Sequence, residues 1–344
     1  MGVKLVGIKN TKRTEYFLKA ANELQISVDF VEWKDIKNIR WKNDVVKIDP
    51  FAFQESDLSE MNNLLAHYRT QLAALSNTGC RFLNYPEGIL TVLDKGSCKK
   101  KLIENSVPVT ELLSDKVKTL EQLHEIMDKR RVFAVFVKPV YASGAAGVAA
   151  YRRLPGKNRE ILYTSCCLQG GKLINTKKLY RLERREEIQP LLKAVLSLGV
   201  IVERWHPKAS FQGKSYDLRV VWQFGRIEYI LARQSGGPVT NLHLNNAPLA
   251  LEWLGLSAQT MDAVEDVCRR AMEVFPHLTM AGIDVLLEKG TMKPYIIEVN
   301  GQGDLIYQDI YQENRIYKRQ VEIMWKMCRH FRLRLGANYE DEQY

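Results

Sequence analysis

The segment Ala281-Gly-Ile-Asp-Val-Leu-Leu-Glu288 is followed, across Lys289-Gly-Thr-Met-Lys293, by Pro294-Tyr-Ile-Ile-Glu-Val-Asn300. Both flanking halves are short, rich in β-branched residues and bounded by turn formers, which predicts two strands. The residues between them include a glycine and suit a hairpin loop. In the simplest register Asp284 lies directly opposite Glu298, and the period of two brings Asn300 to the same face. Ile283, Val285, Ile297 and Val299 then point the other way, into a core. Two carboxylates and an amide oxygen converge with no cation beside them in sequence. Like charges directly opposite on a sheet repel, so something positive is expected there. Oxygen-only ligands suit a hard divalent ion such as magnesium, which takes one or two carboxylates and completes its shell with phosphate and water. The plainer alternative is an exposed acidic edge on an ordinary hairpin.

At 344 residues and 46% hydrophobic, the chain is long enough for two or three domains with sizeable cores. It contains no apolar run long enough for a transmembrane helix. Its first residues, Met1-Gly-Val-Lys-Leu-Val-Gly-Ile8, lack the layout of a secretory signal. Met1-Gly2 opens a myristoylation pattern, but Val6 stands where Ser or Thr is needed. Cys80, Cys98, Cys166, Cys167, Cys268 and Cys328 show no C-x-x-C spacing and read as reduced thiols, which points to the cytoplasm. Fifty basic against forty acidic residues give a net charge of +10. Basic clusters lie at Lys99-Lys100-Lys101, Arg152-Arg153, Lys177 to Arg185 and Lys326 to Arg334. No zinc-finger spacing, homeodomain-like run or aromatic–basic pattern accompanies them, so nucleic acid is not the expected partner. An anionic small molecule or solvated helix faces account for the charge as well.

From the N-terminus the pattern predicts strands at Lys4 to Ile8, Val28 to Trp33 and Val45 to Ile48. Helices are expected at Lys12 to Leu24 and Asp57 to Ser76, the second carrying Leu58, Met61, Leu64, Leu65, Tyr68, Leu72 and Leu75 on one stripe. This alternation predicts a small parallel sheet with crossover helices, offering one wall of a substrate pocket. No G-x-G-x-x-G opens the first helix, so it is not a standard dinucleotide site. Arg81 to Pro86 reads as a turn and a domain boundary. A helix containing Asp94-Lys95 follows, running to about Asn105, and another spans Thr119 to Arg130.

The apolar strand Val132 to Val137 ends in Lys138-Pro139 and leads into Ala142-Ser143-Gly144-Ala-Ala-Gly147-Val148. Small residues let backbone N–H groups approach phosphate oxygens closely, and the preceding lysine adds a point charge. A plain hairpin turn is the competing reading. Further on, Glu186 to Leu198 reads as a helix, and Val200-Ile-Val202-Glu203-Arg-Trp-His206-Pro207 as a strand leaving a core and becoming a linker. Asp217 and Arg219 share a face of the next strand, which pairs across Gly225 with Ile227 to Arg233. Helices at Ala258 to Phe275 and Ile316 to Leu335 flank the opening hairpin, and the tail from Asn338 to Tyr344 is expected to fray.

The order of these features resembles the ATP-grasp superfamily. Asp94-Lys95, Lys138-Pro139 with its small-residue loop, Glu203-Arg-Trp-His206, Asp217-Leu-Arg219, Arg233, Asn241, Asp284 and Glu298-Val-Asn300 carry the likeness. It is closer to the branch with glutathione synthetase and the RimK-like ligases that add glutamate to a ribosomal protein. The resemblance implies an α/β fold in three parts: a Rossmann-like pre-ATP-grasp domain (1–86), a central lobe (87–204) and a C-terminal lobe (205–344). ATP would lie between the last two. Lys95 and Lys138 would contact its phosphates, and the loop Ser143 to Gly147, with Gly144, would fold over them. Glu203 would hold the adenine or ribose side, with backbone groups of Arg204 and Trp205 reading the adenine edge and His206 and Asp217 completing the pocket. Asp284, Glu298 and Asn300 would bind one or two magnesium ions, with manganese able to substitute. Arg219, Arg233 and Asn241 would sit where an acceptor carboxylate meets the transferred phosphoryl group.

That likeness implies a carboxylate–amine ligase acting on a carboxylate-bearing small molecule or peptide and an amine donor. The alternatives are an ATP-grasp kinase that phosphorylates a hydroxyl and a non-catalytic nucleotide-binding protein. His206 and His243 are read as structural or hydrogen-bonding groups ahead of bases. Relatives are often dimers or tetramers, but no apolar stripe identifies a homo-oligomer interface here. The sequence departs from close relatives after Asn300, where Gly301-Gln-Gly303-Asp304 replaces a Pro-Gly turn.

Overall fold

The structure is a computed structural model that describes residues 2–340 apart from 52–55, 143, 155, 157, 158 and 245. Ser143 and the last four residues of the expected tail therefore lie outside the described residues, as do the side chains of His243 and of positions 330–340. The first sheet is wholly parallel. Its strands β1 (Val3–Gly7), β2 (Val28–Glu32), β3 (Val45–Ile48) and β4 (Arg81–Phe82) are ordered β2-β1-β3-β4. Helices α1 (Lys12–Glu23) and α2 (Met61–Ser76) make the crossovers, and Thr11 caps α1 by accepting from the Thr14 N–H. Arg81 and Phe82 belong to a strand and not to the expected turn, because they pair in parallel with Val45 and Val46.

The single helix expected around Asp94 is two. Helices α3 (Pro86–Leu93) and α4 (Lys95–Glu104) divide at Asp94, whose carboxylate accepts from the Ser97 N–H at 2.8 Å. Such a side-chain cap satisfies a donor at the new helix start and resets the chain direction there. The second sheet contains β5 (Leu112–Ser114), β6 (Ala134–Pro139), β7 (Ala149–Leu154), β8 (Arg159–Gln169), β9 (Lys172–Leu182) and β10 (Val200–Arg204), ordered β5-β10-β6-β7-β8-β9. Helices α5 (Leu120–Arg130) and α6 (Arg185–Leu196) cover one face, burying Leu123, Met127, Leu192 and Val195 against Val135, Val137 and Val202. Phe136, Lys138, Ile201 and Glu203 share the opposite face, since Lys138 pairs with Ile201 and Phe136 with Glu203.

The third sheet runs β14-β13-β12-β15-β16, with β11 paired to β12. Its strands are β11 (Ser210–Phe211), β12 (Lys214–Gln223), β13 (Arg226–Ser235), β14 (Ala247–Leu249), β15 (Met280–Leu287) and β16 (Pro294–Asn300). Helix α7 (Ala258–Glu273) buries Val264, Cys268 and Ala271 in the same core as Ile283, Val285, Ile296 and Val299. The hairpin forms as expected at its open end, with Gly282 opposite Asn300 and Asp284 opposite Glu298. The register then slips, so that Val285 pairs with Ile296. Ile297 is the extra residue of this bulge, and it lines the cleft instead of entering the core. After the short helix α8 (Tyr307–Ile310), α9 (Arg315–Glu340) lays Ile316, Tyr317, Val321 and Met324 into one cluster with Leu5, Phe17 and Val45 of the first unit. Among the described residues no helix is long and apolar enough to cross a membrane.

Candidate active site

Strand β12 sits between β13 and β15, so charged residues of neighbouring strands meet across the third sheet. Arg219 is the ladder partner of Asp284, which is in turn the partner of Glu298, and Asp217 faces Arg233. Arg219 donates to Asp284 through Nε at 2.6 Å and Nη2 at 3.2 Å. Arg233 bridges two acids, from Nε to Asp217 at 2.8 Å and from Nη2 to Asp284 at 3.1 Å. Lys208 adds a contact of 3.1 Å to Asp217, and Thr240 donates to the same carboxylate. Burial alone would raise the Asp217 pKa, yet Arg233 and Lys208 hold it well below the usual carboxylate range. Burial lowers the Lys208 pKa in spite of its partner. The positive charge expected beside the two facing carboxylates is thus supplied from the neighbouring strands and from α4. Lys95, the first residue of α4, reaches Glu298 at 2.8 Å and also donates to the Ala142 carbonyl. Burial would raise the Glu298 pKa, and Lys95 outweighs it to bring it down.

On the opposite wall, Glu203 is 2% exposed and held by two lysines. Lys138 donates to it at 2.8 Å, Lys99 lies 3.1 Å away, and Thr110 donates at 2.9 Å. Burial pushes the carboxyl up, but the lysines dominate and bring it to about 2. The Lys99 pKa is lowered by burial. Glu203 is placed, then, where it fixes the aim of Lys138 as well as lining the cleft. The N–H groups of Arg204 and Trp205 donate to the Glu111 and Ala134 carbonyls, at 2.9 and 3.0 Å, and so are already engaged within the protein. His206 accepts from the Glu111 N–H at 3.2 Å through Nε2 and stacks on Tyr295 with centroids 5.4 Å apart. Burial and then Arg204 depress its pKa, which keeps the ring neutral.

The small-residue loop joins β6 to β7. Gly144, Ala145 and Gly147 all have positive φ. At Gly147 a Cβ would come within 2.8 Å of Pro139, so glycine is required there by space as well as by torsion. Tyr141 in this loop donates to Asp94 at 2.8 Å, accepts from Arg69 of α2 at 2.9 Å and lies under the Arg69 guanidinium. The first unit therefore reaches this small-residue loop directly.

Around the cleft six cationic side chains (Lys95, Lys99, Lys138, Lys208, Arg219 and Arg233) contact four carboxylates (Glu203, Asp217, Asp284 and Glu298). The excess of positive charge suits a polyphosphate. Lys99, Lys208 and Ile297 were not identified from sequence. Lys99 hid in a run of three lysines, but its spacing of four from Lys95 puts both on one helix face, a signal that was available. Lys208 carried no such signal.

Two cavities meet at this centre. A cleft of about 740 Å³ lies between the second and third sheets and is lined by Lys138, Glu203, His206 and Asp217 among others. A larger chamber of about 1660 Å³ opens beside it, bounded by Arg13 and Tyr68 of the first unit, by α3 and by residues 300–308. Lys95, Ala142, Arg233, Asn241 and Glu298 line both. Arg219, Asn300 and Gly144 face the larger chamber. The stretch after Asn300 is tied down in place of a Pro-Gly turn. Gly303 packs so tightly on Gly282 that a Cβ on it would come 2.7 Å from the Gly282 backbone. Gln302 accepts from Tyr68 at 3.0 Å, and the fully buried Asp304 pairs with Arg13 and, at 3.1 Å, with Lys47.

No family model matches the sequence, and no curated protein matches it. Solved structures do share its fold. The D-cycloserine synthetase DcsG is similar with a TM-score of 0.61 at 13% identity, over 94% of this chain and 99% of that one. The macrocyclase MdnC from Microcystis aeruginosa MRC, bound with precursor peptide MdnA, gives 0.60 at 11% identity, over 95% and 100%. The ATP-grasp ligase PsnB, complexed with a minimal precursor, gives 0.58 at 12% identity, over 95% and 99%, and PsnB is also known with Mg and ADP. At these identities the likeness speaks to architecture, and across nearly the whole chain that architecture is the ATP-grasp fold.

Proposed function

We propose that the protein is an ATP- and magnesium-dependent ligase that joins a carboxylate to an amine through an acylphosphate, releasing ADP and phosphate. The observation that carries this reading is the shared wall of the two cavities. A nucleotide in the cleft would bring its terminal phosphate to Lys95, Arg233, Asn241 and Glu298, where the larger chamber opens. Phosphoryl transfer asks a protein chiefly for positioning and charge neutralisation, and the cation excess of the cleft supplies both. Lys95 and Lys138 would take phosphate oxygens, with Lys138 aimed by Glu203. Gly144 to Gly147, with Ser143, would close over them through backbone N–H groups. Phe136, His206 and Leu286 would bracket the base, with carbonyls of Arg204 and Trp205 at its edge and Asp217 holding Arg233 in place.

The donor set suits magnesium. Glu298 is ionised and 26% exposed in its side chain, and Asn300 adds an amide oxygen on the same strand face. Asp284 differs, because both its oxygens carry arginine contacts and it would have to exchange one of them to join a metal. Magnesium, when bound, would neutralise phosphate oxygens as charge moves to the leaving group. Arg219 and Arg233 would orient the acceptor carboxylate for attack on the γ-phosphorus, and the amine would then displace phosphate at the acyl carbon. No nucleophilic Ser or Cys is needed.

The order of the motifs supports the glutathione synthetase and RimK-like branch, and the neighbours solved with a precursor bound, PsnB and MdnC, support a peptide or amino-acid substrate. The cysteines lie outside any disulfide, in keeping with a cytoplasmic setting. The test is incubation with ATP, magnesium and pooled amino acids, peptides and cell extract, followed by mass spectrometry. ADP and free phosphate rising in proportion to a new amide is the expected result. A stable phosphorylated product with no free phosphate would make the protein a kinase and sink the ligase reading.

A further inference from the structure

The larger chamber has one polar corner that the proposed chemistry leaves without a task. Arg13, in the first turn of α1, lines it far along the chain from any phosphate-handling residue, with 19% of its side chain exposed. One guanidinium nitrogen donates to the buried Asp304, whose charge is shared with Lys47 and with Gln320 at 3.2 Å. A guanidinium carries five N–H donors in a fork that matches a carboxylate. Gln308, in α8, lines the same chamber, and its carboxamide oxygen has no hydrogen-bond partner although it is withdrawn from solvent. Helices α1 and α8 are neighbours here, since Tyr16, one turn beyond Arg13, packs on Tyr311, one turn beyond Gln308, with centroids 5.6 Å apart. The chamber also carries an apolar lining from Ile89, Val92, Leu93, Leu231 and Leu305.

We propose that Arg13 and Gln308 form a second recognition point that binds the carboxylate and adjacent N–H of an apolar amino-acid or peptide unit. Arg13 takes the carboxylate, Gln308 accepts the N–H after turning its amide into the chamber, and the apolar wall receives the side chain. The other end of the molecule then faces Lys95 and Arg233. This rests on the ligase reading only in giving the larger chamber to the organic substrate.

The experiment is calorimetric titration of the full chain, loaded with AMPPNP and magnesium, with N-acetyl-L-leucine and with its amide, N-acetyl-L-leucinamide. The acid should bind about tenfold more tightly than the amide, as one charge-assisted hydrogen-bond pair commands. Arg13→Gln should abolish that preference. Gln308→Leu removes a side chain whose oxygen has no partner and so leaves folding intact, and it should weaken the acid and the amide alike by about threefold to tenfold. AMPPNP affinity should not change in either variant. No measurable binding of the acid, equal affinity for acid and amide, or undiminished binding in Gln308→Leu each overturns the proposal. Failure of AMPPNP to bind would count against the nucleotide reading instead, and the acid–amide comparison on the unloaded protein would still decide the chamber.

Discussion

The cleft and the chamber beside it are built from different materials. In the cleft every carboxylate sits on a strand, four of the six cations sit on a strand or at a helix start, and acid and base are paired, as in Arg219–Asp284 and Lys138–Glu203. The chamber shares Arg219, Arg233 and Glu298 of the third sheet, but the rest of its wall comes largely from α3, the first unit and residues 300–308, with apolar side chains among polar ones. The contrast follows from the tasks proposed for each. Charge held rigidly in a low-dielectric site stabilises phosphate at little reorganisation cost, so it belongs on sheets. A pocket that selects an organic acceptor needs shape, which loops and helices supply and which varies with the acceptor.

The largest effect should come where the chamber is fastened to the rest. Asp304 is fully buried between Arg13 and Lys47, and its pKa lies far below the usual range because those cations outweigh burial. Asp304→Ala leaves the Arg13 guanidinium without its ion-pair partner, while Lys47 keeps Asp49, and should cost about 3–5 kcal/mol in urea unfolding. A loss below about 1 kcal/mol would mean the chamber is not held through this cluster. In the cleft, Glu298→Gln should instead spare the fold and lower turnover by about a hundredfold to a thousandfold, since it weakens charge placement at the reacting phosphate. Melting temperature and turnover together decide the matter. Retained turnover would remove Glu298 from the metal site.

Acid titration sharpens the comparison from another side. The Glu203 carboxyl has a pKa of about 2 in the fold against an ordinary 4.5. A depressed carboxylate stabilises the fold above its unfolded pKa, and that stability drains away as pH falls through the folded value. Stability should therefore decline between about pH 4.5 and pH 2, by on the order of 3 kcal/mol for this group. Lys138→Met leaves Lys99 as the remaining cation and should make the decline shallower. An unchanged slope would show that Lys138 does not hold Glu203. Next in size is Gly303→Ala, whose Cβ would meet the Gly282 backbone at 2.7 Å and Arg219 Nη1 at 2.9 Å. It should cost about 1–3 kcal/mol and reduce turnover by pushing Arg219 off Asp284.

What could be read from sequence divides along the same line. Strand alternation was enough to bring Asp284, Glu298 and Asn300 to one face, because period two is a local property. It was enough for Asp217 with Arg219 as well. The bulge at Ile297 was not legible, since an extra residue alters the register without altering the composition. Nor was the break at Asp94, where the capping aspartate sat inside an otherwise continuous helical pattern. Asp304 with Arg13 and Lys47 joins residues hundreds of positions apart, and no periodicity links them. The departure Gly301-Gln-Gly303 was visible, but its reason, the close approach to Gly282, is tertiary.

The smallest effect is expected at His206, and it separates a structural histidine from a base. Its Nε2 accepts from the Glu111 N–H, a role that requires the neutral ring, and burial and Arg204 favour that form. Because the folded ring binds its proton less readily than the unfolded one, folding stability should fall slightly as pH drops through about 6.5. His206→Gln keeps an acceptor at nearly the same reach but loses the stacking on Tyr295. It should cost no more than about 1 kcal/mol, abolish the shallow pH slope near neutrality and leave turnover within about threefold. General-base catalysis is worth about a hundredfold to ten-thousandfold, so a drop of that size in His206→Gln would move the residue from the frame of the cleft into its chemistry.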